Sequence, residues 1–154
     1  MLWERRPQAM ERALARHDAI LRRAIEAHGG QVFKTLGDAF CAAFAIVPEA
    51  LTAARAAQRA LATEPWGEIG SIRVRMALHT GAAQVRDGDY FGPALNRATR
   101  LLAAGYGGQI LLSAAAQELA HDHLLPDTSD HQELSIELFD AFSNNTLAVV
   151  PGSK

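Results

Sequence analysis

Residues 30–44, Gly-Gln-Val-Phe-Lys-Thr-Leu-Gly-Asp-Ala-Phe-Cys-Ala-Ala-Phe, decide the fold because they read as a β-hairpin. Val32 and Phe33 enter a first strand, Leu36-Gly37-Asp38 forms the tip, and Phe40 to Phe44 return as a second apolar strand. Gly-Asp between two hydrophobic runs is a tight-turn signal, since glycine accepts the positive φ that such turns require. Lys34 inside the first strand and Asp38 at the mouth of the second stand out. On the hairpin alone, Lys34 is a solvated strand residue and Asp38 a turn former.

Upstream, residues 7–28 form a helix with Met10, Leu14, His17, Leu21 and Ile25 on one face. Pro7 suits its first turn and Gly29-Gly30 its end. Arg12, Arg16, Arg22 and Arg23, set among acids and alanines, read as a solvated face. Downstream, Pro48 starts an alanine-rich helix running to about Ala62, with Leu51 and Leu61 as larger contacts, and Pro65-Trp66-Gly67 breaks it. Ile72 to Leu78 alternates apolar and basic residues, the period of a half-buried strand. Residues 82–86 are expected to pair with it as the next strand, with His79-Thr80-Gly81 as the link and Asp87-Gly88-Asp89 as a further turn. A third helix is expected from about Gly92 to Ala104. Ile110-Leu111-Leu112 follows as a short buried strand, and Ser113 caps a fourth helix from Ala114 to about His121. His121 and His123 lack a convincing third ligand and read as a surface turn rather than a metal site. Ser135 to Phe142 and Leu147 to Val150 read either as two strands or as a short helix and a strand.

Among 154 residues, 49% are hydrophobic and 21% charged, which fits one ordinary globular domain. A net charge of −2 argues against nucleic-acid binding through phosphate neutralisation, which calls for a basic surplus. The lone cysteine, Cys41, lies in an apolar strand and is expected to be a buried, inert thiol in a reducing compartment. No apolar run approaches the roughly 20 residues of a membrane span, and no signal peptide precedes the first helix. The expectation is a cytoplasmic domain with neither nucleic acid nor membrane as partner.

The order helix, hairpin, helix, two strands, helix, strand, helix is α+β, with helices on one face of a largely antiparallel sheet. Such a sheet wants a central strand before its first helix. Only Met1 to Arg6 stand there.

Four segments in this order resemble the catalytic domain of class III nucleotide cyclases, the adenylyl and guanylyl cyclases. They are Gly29-Gly-Gln-Val-Phe-Lys-Thr-Leu-Gly-Asp-Ala-Phe40, Val74-Arg-Met-Ala-Leu-His-Thr-Gly81, Gly88-Asp-Tyr-Phe-Gly-Pro-Ala-Leu-Asn-Arg-Ala-Thr-Arg-Leu101 and Gly107-Gly-Gln-Ile-Leu-Leu-Ser113. The resemblance runs from about Leu2 to Leu119. It implies a ferredoxin-like βαββαβ core acting as a head-to-tail homodimer with nucleotide sites at the interface. The implied reaction is attack of the ribose 3′-hydroxyl on the α-phosphorus with loss of pyrophosphate, assisted by two Mg²⁺ or Mn²⁺ ions.

Carried over residue by residue, the resemblance makes Asp38 a metal-binding aspartate. It makes Lys34 and Asp89 the pair that reads the purine, in the ATP-selective rather than the GTP-selective version. It makes Asn96 the ribose-orienting residue and Arg100 the transition-state cation. Their i, i+4 spacing puts both on one face of the third helix. One protomer would supply Asp38 and the metals, the other Lys34, Asp89, Asn96 and Arg100.

Two departures qualify this. The family's first metal aspartate lies in a strand before the first helix, and this sequence lacks it. A shortened start or a degenerate relative would explain the absence, and the missing first strand is expected to leave unpaired strand edges. The family's C-terminal pattern also fades, so residues 1–128 read as the cyclase-type domain and 129–154 as a divergent segment in which Leu147 to Pro151 imitate a final strand. The expected function is conversion of ATP to cyclic AMP in intracellular signalling, impaired in this chain. The alternative is a non-catalytic nucleotide-binding or dimerisation module.

Overall fold

A computed structural model describes residues 7–36, 39–81, 84–87, 89–120, 136–139, 147–149 and 152–153. Gly37, Asp38, His121 and His123 lie outside the described residues.

Helix α1, Pro7–Ala27, buries Ala13, His17, Ile20, Leu21, Ala24 and Ile25; of the expected stripe, His17, Leu21 and Ile25 are buried, while Met10 and Leu14 are only half-buried. It ends as a Schellman turn: Gly29 takes φ 81°, and the Gly30 N–H donates to the Ile25 carbonyl at 2.9 Å. Gly30 is also required by space, because a Cβ there would lie 2.5 Å from the Phe44 ring. The chain passes directly into β1, Gln31–Leu36, which pairs antiparallel with β2, Ala39–Phe44. Helix α2, Val47–Thr63, turns Ala50, Ala53, Ala54 and Ala57 inward with Leu51 and Leu61. Small side chains let this helix approach the sheet closely, and the buried Gln58 amide donates to the Val74 carbonyl at 2.7 Å.

Strand β3, Val74–Thr80, runs on through His79 and Thr80, which sequence reasoning assigns to a link. The expectation places residues 82–86 beside β3; the described part of that segment, residues 84–86, does not pair with it. Instead β4, Gln84–Arg86, pairs antiparallel with β5, Asp89–Phe91, as a separate two-stranded sheet. Both sides of β3 are already taken: β6, Ile110–Ser113, lies parallel on one, and β8, Leu147–Val149, antiparallel on the other. Asp89 therefore starts a strand rather than sitting in the turn, and Asp87, at φ 50°, carries the strained turn position. Helix α3, Pro93–Ala103, follows, and α4, Ala114–Ala120, comes after β6. Ser113 caps α4 as expected, its Oγ accepting the Ala116 N–H at 3.2 Å.

The main sheet has the order β1-β2-β8-β3-β6-β7, where β7 is Ile136–Phe139 and β9, Gly152–Ser153, pairs with the start of β3. It is a mixed sheet: antiparallel pairs prevail from β1 to β3, and β3-β6-β7 are parallel. Alternate residues of β2, β3 and β6 divide the core. Phe40, Ala42, Phe44, Val74, Met76, Leu78, Ile110 and Leu112 face α1, α2 and α4. Cys41, Ala77 and Leu111 face Ala98, Leu101 and Leu102 of α3 on the other side. The expectation of unpaired edges at the centre of the sheet is overturned. β8 fills the place between β2 and β3, Val149 pairing with both Ala42 and Leu78, and Leu147 with both Phe44 and Thr80. Leu147 to Val149, expected to imitate a final strand, thus form a central one.

Candidate active site

The site begins with an irregularity in β1. Val32 lies opposite Ala42 and Lys34 opposite Cys41, so Phe33 is the extra residue of a β-bulge. The Lys34 ammonium donates to Asp89 Oδ2 at 3.2 Å, with the side chains 26% and 29% exposed. Asp89 Oδ1 accepts the Tyr90 backbone N–H at 2.8 Å, which aims the carboxylate. Beside the ion pair, the Phe33 and Tyr90 rings meet at 4.8 Å between centroids with their planes inclined by 60°. This tilted contact is a favoured aromatic geometry. Lys34 and Asp89, distant in sequence, are thus brought together as a donor beside an acceptor at the half-exposed edge of the molecule.

Cys41, across the ladder from Lys34, is fully buried. Burial pushes its thiol above the ordinary value; the Lys34 ammonium pulls it back and the Asp89 carboxylate adds to the rise. It is a protonated core side chain and not a nucleophile.

Asn96 and Arg100 stand exposed on α3, while Ala94, Ala98, Leu101 and Leu102 face the core and Leu95 packs against it. Arg100 lies in the last turn, where a cation also meets the negative end of the helix. Both side chains therefore face outward from one helix, and neither packs into the protein's own core.

His79 and Ser113 form a buried polar pair that sequence reasoning passes over. His79 Nδ1 and Ser113 Oγ lie 2.8 Å apart at the ends of adjacent strands, and buried His79 Nε2 has no hydrogen-bond partner among the described residues. Burial, aided by the charge of Arg97, lowers the imidazole pKa below its ordinary 6.5. A Phe33 bulge has no sequence signature either. Tyr90 could have been noticed as an aromatic residue next to a candidate acid.

Among the described residues, no three His, Cys, Asp or Glu side chains cluster as a metal site. Asp38 lies outside the described residues. The strand now at the centre of the sheet, Leu147-Ala148-Val149, contains no carboxylate. The described residues do not by themselves fit a pair of divalent ions. No helix among them is long and apolar enough to cross a membrane.

The chain is 39% identical over 128 residues to an uncharacterised protein of Mycobacterium tuberculosis, covering 82% of this chain and 42% of that one. It therefore spans less than half the length of that relative. It is 34% identical over 139 residues to an adenylate cyclase of Schizosaccharomyces pombe, covering 74% of this chain and 8% of that much longer protein. Its fold matches the crystal structure of an adenylate/guanylate cyclase/hydrolase from Silicibacter pomeroyi with a TM-score of 0.69 and 25% identity, over 99% of this chain and 88% of that one. The family model described as the adenylate and guanylate cyclase catalytic domain matches residues 1–138. The chain belongs to the adenylate and guanylate cyclase catalytic domain family.

Proposed function

We propose that this domain binds ATP, with Lys34 and Asp89 reading the adenine edge, and that as a homodimer it presents Asn96 and Arg100 to the ribose and α-phosphate. The carrying observation is the 3.2 Å contact between Lys34 and Asp89 at a half-exposed edge. Adenine offers an acceptor ring nitrogen beside a donor amino group, the complement of an ammonium beside a carboxylate. Guanine offers an oxygen where adenine has the amino group, and a carboxylate repels it.

The reaction that this site would serve is ring closure of ATP to cyclic AMP, with pyrophosphate leaving. Asn96 would orient the ribose, and Arg100 would offset charge developing at the α-phosphate. Mg²⁺ or Mn²⁺, when bound, would supply Lewis-acid stabilisation of the phosphate oxygens. Turnover is expected to be impaired, because the central strand brings no carboxylate to such ions. That same observation favours a second reading, in which the domain binds nucleotide and dimerises without chemistry.

Cyclic nucleotide formation from ATP and from GTP with Mn²⁺, measured beside equilibrium binding of both, separates the readings. ATP binding with little turnover supports the binding module; brisk turnover means that ligands outside the described residues complete the metal site. Lys34→Glu combined with Asp89→Cys is expected to move the preference towards GTP. An unchanged ATP:GTP ratio in that double variant rejects the assignment of the pair.

A further inference from the structure

The bulge at Phe33 changes what β1 can reach. In an unbroken strand, residues 33 and 34 point to opposite faces of the sheet. With Phe33 as the extra residue, its ring meets Tyr90 while the next residue, Lys34, meets Asp89. Two consecutive residues of β1 therefore engage two consecutive residues of β5. This matters because β4 and β5 form their own two-stranded sheet, outside the ladder of the main one. The carboxylate of the candidate base-reading pair rides on that separate hairpin, and the ammonium rides on the main sheet. Their separation is set by whatever fastens the hairpin down.

The ion pair is a poor fastener, since its side chains are partly exposed and a purine inserted between them would take both partners away. The Phe33–Tyr90 ring contact involves neither charged group, so opening the ion pair removes none of its atoms. Phe33 is itself anchored, packed against the cluster of Cys41, Ala77, Ala98, Leu101 and Leu111 beneath α3. We infer that Phe33 and Tyr90 are positioning residues: their ring contact clamps the β4–β5 hairpin to the bulge of β1 and fixes the gap between Lys34 and Asp89 across which the purine is read. The inference rests on the adenine-selecting reading of that pair. It adds two residues that touch no reacting atom and set specificity through their neighbours.

The test compares the full chain with Tyr90→Ala and Tyr90→Phe, in two measurements. Calorimetric titration with ATP and with GTP reads the preference. Amide hydrogen exchange at residues 84–86 and 89–91 reads the clamp, with β3 and β6 as the check that the core is intact. Tyr90→Ala is expected to reduce the ATP-over-GTP preference by about 3- to 10-fold, the range of one aromatic pair. It is also expected to speed exchange in the hairpin while β3 and β6 keep their protection. Tyr90→Phe, which retains the ring, is expected to restore both. Faster exchange with an unchanged preference overturns the positioning role and leaves plain packing. Unchanged exchange in Tyr90→Ala overturns the clamp itself. Wild-type protein that binds neither nucleotide overturns the adenine-selecting reading, and the exchange measurement then decides the clamp alone.

Discussion

Strand β2 pairs on one side with β1, the strand immediately before it in the chain, and on the other with β8, which comes from residues 147–149. The first pairing is local. Two residues separate the strands, and the Schellman turn at Gly29-Gly30 delivers α1 straight into β1. The second closes a long loop before any ladder bond forms, so its entropic cost comes first and its return later. Yet β8 holds the sheet together. It joins the hairpin that carries Lys34 to β3, and α3, with Asn96 and Arg100, packs against it as well. The easily specified pairing creates half of the candidate site, and the costly one sets that half against the rest.

The largest test of this contrast is a proline in the central strand. Ala148 pairs with Ala43 on one side and His79 on the other. Ala148→Pro removes a ladder donor and forces a ring into a place flanked by two strands, where proline is hardly ever found. A loss of about 3 kcal/mol or more is expected, by analogy with proline inside other hydrogen-bonded elements. Denaturant unfolding gives the size, and hydrogen exchange at β2 and β3 gives the place. The same change at Gln31, where edge strand β1 begins, is expected to cost less. Equal effects at the two positions would erase the distinction between edge and centre.

A substitution on the local side sharpens the comparison. Gly30→Ala places a methyl 2.5 Å from the Phe44 ring and 2.8 Å from Ile25 Cγ2, in the joint between α1 and β1. Overpacking of this kind costs about 1–3 kcal/mol. Chemical denaturation of the variant checks it. A neutral result would mean that Phe44, from β2, moves aside freely and that the joint is looser than its packing indicates.

What could be read from the sequence follows the same division. The glycine stop, the hairpin, the Ser113 cap and the His17, Leu21 and Ile25 part of the α1 stripe rest on neighbours within a few residues, and all are where sequence reasoning puts them. The site is legible to the extent that its motifs are contiguous, as in Gly88 to Leu101. The partner of β4 is not legible in the sequence, because alternation reveals a strand but not the strand beside it, and both sides of β3 are taken by strands from further along the chain. The central place of residues 147–149 is invisible for the same reason: three small or branched apolar residues suit an edge, a centre or a tail equally. The Phe33 bulge has no local signal, because its cause is the register of the ladder rather than the residue itself.

His79 offers a graded lever on the distant pairing, since its Cα partner in β8 is Ala148. Burial and Arg97 lower its pKa in the folded state. The unfolded chain therefore binds a proton first as pH falls below the ordinary 6.5, and the folded state does not follow until lower pH. Stability from this residue is complete above 6.5 and drains away as pH falls towards the folded value, at up to about 1.4 kcal/mol per pH unit. Unfolding free energies of wild type and His79→Gln between pH 7.5 and 5.5 isolate this contribution, because the other titrating groups are common to both. The wild type should lose more stability on acidification than the variant does. Parallel curves would mean that the buried imidazole binds its proton equally well folded and unfolded.

The smallest effect is expected where the candidate chemistry lies. Lys34 and Asp89 join the local hairpin to the separate β4–β5 sheet, as β8 joins it to β3, but they do not hold the molecule together in the same way. Their exposure argues otherwise: water competes for both charges, and holding a lysine side chain in one geometry costs entropy. A double-mutant cycle of Lys34→Met and Asp89→Asn, read by denaturant unfolding, should give a coupling of about 0.2–1 kcal/mol. A coupling well above that range would make the pair a structural clasp, and a base could then enter only by weakening the fold. A coupling within it leaves the pair free to exchange partners, as a site that reads a ligand must be. Stability then resides in the β2–β8–β3 ladder, and selectivity in a contact that contributes little to it.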